Sequence, residues 1–111
     1  MVLLKKEPDK LDRLFASLSH PYRRRILALL AEANPRTEDE LTRDGPVFDA
    51  ADPERAAVDV FHVHLPKVAE AGYVSWDRDA GVVERGPRFE DVAPALRLLD
   101  DHRDELPGDW S

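Results

Sequence analysis

Residues 52–85 read DPERAAVDVFHVHLPKVAEAGYVSWDRDAGVVER, and the order of signals in them decides the architecture. Asp52-Pro53-Glu54 is a helix start: a capping carboxylate, a proline at the first position where its missing N–H does no harm, and an acid in the positive first turn. The helix it opens puts Ala57, Val58, Phe61, Leu65 and Val68 on an inner face and ends at Gly72, a residue suited to a left-handed cap. Pro66 lies deep inside and removes one intrahelical bond, which predicts a kink near His62 to Leu65. Tyr73–Trp76 and Val82–Arg85 are β-prone runs joined by Asp77-Arg78-Asp79-Ala80-Gly81, the pattern of a small hairpin.

Toward the N-terminus, Asp9 to Leu18 carries Leu11, Leu14, Phe15 and Leu18 at the spacing of a short amphipathic helix. Ser19 and His20 can cap a second helix with Pro21 at its first position. That helix runs through Glu32 with Tyr22, Ile26, Leu29, Leu30 and Ala33 on one face; Arg24 points away, and Arg23 and Arg25 flank it. Asn34-Pro35 stops it. Thr37 followed by Glu40 is a capping box, so a third short helix starts there and buries Leu41. Asp44-Gly45-Pro46 then opens a loop to Ala51. On the other side of the hairpin, Phe89 to Leu106 forms a last helix with Val92, Leu96, Leu99 and Leu106 on a stripe that Ala95 and Leu98 widen, and Pro94 falls in its first turn. The chain is therefore expected to be mainly α with a small β-hairpin. Three helices ahead of a two-stranded wing make the winged variant of helix-turn-helix. One domain over residues 1–111 is expected: a winged-helix core at 9–85, an extra C-terminal dimerisation helix at 88–106 and a tail at 107–111.

The chain is 111 residues long, enough for one domain and one modest core, which argues against a large interdomain enzyme cleft. It has no cysteine, which excludes disulfides, thiolate zinc sites, iron–sulfur clusters and a cysteine nucleophile. Charged residues make up 35% and apolar residues 42%, a globular balance. No apolar run reaches membrane-spanning length and the start is no signal peptide, so a soluble cytoplasmic protein with no membrane partner is expected. The net charge is −7, from 16 basic and 23 acidic side chains. Lys5, Lys6, Lys10 and Lys67 are the only lysines, and Asp outnumbers Glu. Few lysines, many aspartates and abundant Ala and Val resemble a protein of a salt-loving archaeon. Near molar salt the Debye length shrinks to about 3 Å, so acidic self-repulsion is nearly abolished.

Leu18-Ser19-His20-Pro21-Tyr22-Arg23-Arg24-Arg25-Ile26-Leu27 resembles the second helix of ArsR-type winged-helix regulators, with Pro21, Arg23, Arg25, Ile26 and Leu27 filling a P-x-R-x-R-I-L pattern. His64-Leu65 through Glu70-Ala71-Gly72-Tyr73-Val74 is similar to the segment where that family's recognition helix turns into the wing. The local wording around His62, His64, Pro66 and Lys67 is similar to haloarchaeal helix-turn-helix proteins. The resemblance covers roughly Leu11 to Arg85. It implies a homodimeric transcriptional regulator on double-stranded DNA, with recognition helix 53–71 in the major groove and wing 73–85 on the phosphate backbone. It further implies a dimer interface built by the terminal helices, here through Leu11, Leu14, Leu96, Leu98, Leu99 and Leu106.

On the recognition helix the outward arc carries Arg55, Ala56, Asp59, Val60, Val63 and Lys67, with His62 at its margin. Val60 and Val63 can touch thymine methyls, and Arg55 or Lys67 can hold a phosphate or guanine. Asp59 repels phosphate unless it accepts from cytosine. The family places Ser, Thr, Gln and Arg on this arc, so the departure leaves a second reading open: a winged-helix module for a protein partner, since an apolar patch with a charged rim suits such surfaces. Arg24 is the phosphate-anchor candidate of its triplet, and Arg78 at the wing tip is a candidate backbone or minor-groove contact. Arg23 and Arg25 have a structural alternative, covering the core with their stems or pairing with carboxylates.

His62 and His64, two apart on a helix, point about 200° apart and cannot share an ion. His64 matches a family histidine and is read as structural. Asp100, Asp101, His102 and Glu105 fall short of a zinc-sensing set, so neither a metal nor another cofactor is expected. No Ser-His-Asp spacing or phosphate-cradling glycine loop is present, so no enzymatic activity is expected. Trp76 is read as core beneath the hairpin, and Trp110 as docking on a partner subunit.

Overall fold

A computed structural model describes residues 9–43 and 50–108. Residues 44–49 of the expected loop, and Trp110 with its expected docking role, lie outside the described residues. The order is α1 (Lys10–Leu18), α2 (Pro21–Glu32), β1 (Arg36–Thr37), α3 (Glu38–Arg43), α4 (Pro53–Asp59), a π-helical turn (Val60–His64), α5 (Leu65–Glu70), β2 (Val74–Asp77), β3 (Val82–Arg85), α6 (Phe89–Asp101) and a 3-10 turn (Arg103–Glu105). The architecture is mainly helical with one small antiparallel sheet.

The helix starts lie where local chemistry puts them. Asp9 accepts from the Leu11 amide at the head of α1, and His20 Nδ1 accepts from the Tyr22 amide ahead of Pro21. Thr37 and Glu40 form the reciprocal capping box: the Thr37 amide donates to Glu40 Oε1 and the Glu40 amide to Thr37 Oγ1. Those donors hold the Glu40 carboxyl below its ordinary range. Asp52 accepts from the Arg55 amide, and Gly72 takes φ +87° after α5. Pro94 sits inside α6 and not in its first turn.

The sheet has three strands where the sequence reading has two. β3 lies in the middle, paired antiparallel with β2 (Trp76 opposite Val83) and with β1 (Arg36 opposite Val83, Thr37 opposite Val82). The backbone of Glu38 extends this seam by donating to the Gly81 carbonyl at 2.9 Å. Ile26, Leu30, Leu41, Val60, Leu65 and Val83 close the core without solvent exposure.

Two arginines fasten the end of α2 to the sheet. Arg36 Nε donates to the carbonyls of Leu29 and Ala33, while its terminal nitrogens reach Glu32 and Glu40 at 3.4 Å. Arg85 donates from Nε to Leu30 O and from Nη2 to Ala31 O, and its amide donates to Asn34 Oδ1. The last carbonyls of a helix lack intrahelical donors and carry partial negative charge, so a guanidinium fork satisfies both needs at once.

Candidate nucleic-acid interface

The segment from Pro53 to Glu70 is one run of helix interrupted at its centre. Pro66 has no N–H to offer the His62 carbonyl, and its ring would press on that carbonyl in a regular helix. At the expected position of the kink the chain widens: the Leu65 amide bonds back to Val60 O, five residues away, and the π-helical turn absorbs one extra residue. This insertion changes the phase of the helix. Ala56, Val60, His64, Leu65 and Val68 face inward, and Val58, expected inside, stands 54% exposed. The expectation for Val60 is thereby overturned: it is fully buried and cannot meet a base edge.

Ala56, also expected on the outward arc, is buried as well. Arg55, His62, Val63 and Lys67 are exposed, with Val63 at 50%. Lys67 borders a groove between α1 and α5 that Arg13, Ser17 and Glu70 also line. Asp59 is half-buried and near enough to His20 and His64 to favour their charged forms electrostatically. It is therefore not part of an open reading face. Val58 takes the place assigned to Val60; the proline was the one sequence signal that the phase would slip.

His64 anchors this helix to α2. Arg23, buried, donates from Nη1 to His64 Nδ1 at 2.9 Å, from Nε to the Ser17 carbonyl, and from Nη2 to the Ala16 carbonyl and Ser19 Oγ. A guanidinium can only donate, so His64 Nδ1 is the acceptor and that ring is neutral with its proton on Nε2. The His20 ring lies 4.0 Å from that of His64, centroid to centroid, and Tyr22 meets both edge-on. Burial, followed by the nearby His20 and Arg23, pushes the His64 pKa down to about 4. Burial and the two arginines of α2 also lower that of His20. The structural reading of His64 thus holds, and Arg23 is structural too, through main-chain carbonyls and His64 in place of the carboxylate partners expected.

Arg24 does not stand at an exposed centre. It is half-buried and donates from Nη1 to the Leu18 carbonyl at 2.7 Å, so its guanidinium helps to fix the α1–α2 corner. Arg78 is exposed at the hairpin turn, yet its guanidinium carbon rests 4.1 Å over the Trp76 ring. Trp76 in turn stacks on Phe61 and donates from Nε1 to Glu38 Oε2 at 2.8 Å. It is therefore only partly buried, a clamp that holds hairpin, π turn and α3 together. Around Arg78 the hairpin surface is acidic, with Asp77, Asp79 and Glu84 exposed.

The terminal helices divide the leucines proposed for dimer contact. Leu11 and Leu98 are exposed, as is Phe15, which the sequence reading placed on the apolar stripe without singling it out. Leu14, Leu99 and Leu106 are half-buried, the first two against the core. Leu96 is buried within its own chain, which removes it from any intermolecular surface. Among the described residues no three His, Cys, Asp or Glu side chains converge as metal ligands; His102 pairs with Glu105, and Asp100 with Arg103. No helix among the described residues is long and apolar enough to cross a membrane.

A family model described as a domain of unknown function (DUF7344) matches residues 15–84, from the end of α1 through most of β3. No curated protein and no solved structure matches the chain.

Proposed function

The chain belongs to the DUF7344 family, and we propose that this member is a sequence-specific, homodimeric DNA-binding regulator of the winged helix-turn-helix type. Its helix from Pro53 to Glu70 enters the major groove and its hairpin approaches the backbone. The observation that carries this reading is the solvent face of that helix, where Arg55, Val58, His62, Val63 and Lys67 lie exposed, with the exposed carboxylates Glu54 and Glu70 at its two ends. The resemblance of residues 18–27 and 64–74 to ArsR-type regulators supports it. So does the sheet behind the helix, to which Phe61 and Trp76 hold it. Leu11, Phe15 and Leu98 give the terminal helices an apolar surface for the second subunit.

The acidic hairpin favours a second reading, a module for a protein partner, because phosphates are repelled by Asp77, Asp79 and Glu84 at low salt. At the molar salt that the composition suggests, that repulsion is screened over about 3 Å and the gain from counterion release is small, so base-edge and apolar contacts must supply the affinity. Selection from random duplex DNA in molar KCl, repeated at lower salt, tests the proposal. A pseudo-palindrome with half-sites about one helical turn apart is expected, and Arg55→Glu with Lys67→Glu abolishes its enrichment. Binding only at low salt and without a motif would mark charge attraction alone. No enrichment at any salt at which the chain stays folded refutes the proposal in favour of the protein partner.

A further inference from the structure

We propose, resting on the DNA-binding reading above, that Val58 and Val63 are specificity-determining residues that read the 5-methyl groups of thymine. The major groove offers one apolar feature, that methyl, and an apolar side chain is its complement. In a regular helix, residues five apart lie about 140° from each other, too far to face one surface. The extra residue taken up by the π turn closes this angle and leaves both valines half exposed, at 54% and 50%, with His62 beside them.

The surroundings of the pair select the occupant. Arg55 and Lys67 stand exposed on either side of it, roughly 18 Å apart at 1.5 Å per residue. That exceeds the roughly 12 Å width of the groove, so the two cations reach the phosphates that border it while the valines lie over the base edges. Of the carboxylates on the helix, Asp59 is half-buried and near enough to His20 and His64 to favour their charged forms, and Glu54 and Glu70 lie exposed at its two ends.

The experiment starts from the duplex that selection enriches in molar KCl and replaces its thymines one at a time by deoxyuridine, which deletes only the methyl group. At the contacted positions affinity falls about fourfold per methyl, the transfer value of one apolar carbon, and the ratio stays constant when salt is lowered, because no counterion is exchanged. Val58→Ala and Val63→Ala each remove the discrimination at one position. Both sites are exposed and alanine is the strongest helix former, so the variants fold, as circular dichroism checks. Uracil and thymine duplexes that bind alike would overturn the inference while leaving DNA binding intact. A methyl effect unchanged in both alanine variants overturns it as well. If no duplex is enriched at all, the DNA-binding reading itself falls and this inference with it.

Discussion

Acid should unfold this protein through His64 before its carboxylates are much protonated. The ring is 5% exposed, accepts from Arg23 on Nδ1 and lies against His20, so a proton on Nδ1 would meet a donor and a second ring in place of water. Its pKa is about 4 in the folded chain against an ordinary 6.5. The unfolded state therefore binds more protons between these values, and stability falls as pH drops. Linkage over this interval gives a loss of about 2 kcal/mol between pH 7 and pH 5, rising to about 3 kcal/mol near pH 4. His20, shifted the same way, adds to it. The charged groups facing the pair are Arg23 and Arg24, which oppose protonation, and Asp59, which favours it. Urea unfolding in molar KCl across pH 7 to 5 measures the loss, a midpoint shift on the order of 1 M. His64→Gln keeps an acceptor for Arg23 but cannot titrate, so at least half of the loss should vanish. A glutamine variant whose stability falls with acid as steeply as the parent refutes the reasoning.

Two further substitutions probe how the chain is fastened. Arg23→Met leaves the buried Ser17 carbonyl and His64 Nδ1 without their donor and should lower stability by about 2–4 kcal/mol, whereas Arg55→Met on the open face should change it by under about 0.5 kcal/mol; thermal melts compare them. Gly86→Ala places a Cβ 2.6 Å from the Gly72 carbonyl oxygen and 2.9 Å from Val74 backbone atoms. Both are main chain and cannot yield, so a loss of about 2–3 kcal/mol is expected, and a melt unchanged from the parent would contradict the crowding.

The elements that could be read from sequence are those set by a few neighbouring residues. His20-Pro21, Thr37 with Glu40, and Asp52-Pro53 satisfy their own helix ends, so each start was visible within four residues. β1 was not, because two residues acquire strand character only by pairing with Val82 and Val83, far along the chain. Arg24 was misjudged for a similar reason. Arg23, Arg24, Arg36 and Arg85 all donate to main-chain carbonyls, and no local pattern distinguishes such an arginine from one that waits for phosphate. Of the exposed face of the helix from Pro53 to Glu70, Arg55, His62, Val63 and Lys67 were legible from helical period alone. Val60 and Val58 changed places because that period assumes every turn is alike, and Pro66 makes one turn different.

The π turn also sets how this helix responds to gain or loss of a residue, as distinct from exchange of one. Five residues occupy it where a regular turn takes about 3.6. Deleting one of them, together with Pro66→Ala, would let the segment close into uninterrupted α-helix. Because the turn already absorbs the extra residue, the halves before and after the deletion would keep their present relation, whereas closing the turn with every residue kept would rotate one against the other by about 100°. Side chains outside the turn would stay on their own face, and the surface they compose together would survive the loss. The presented face thus tolerates loss of the residue that the turn takes up, and a single-codon deletion there is a smaller step than the same deletion in a regular stretch of the helix.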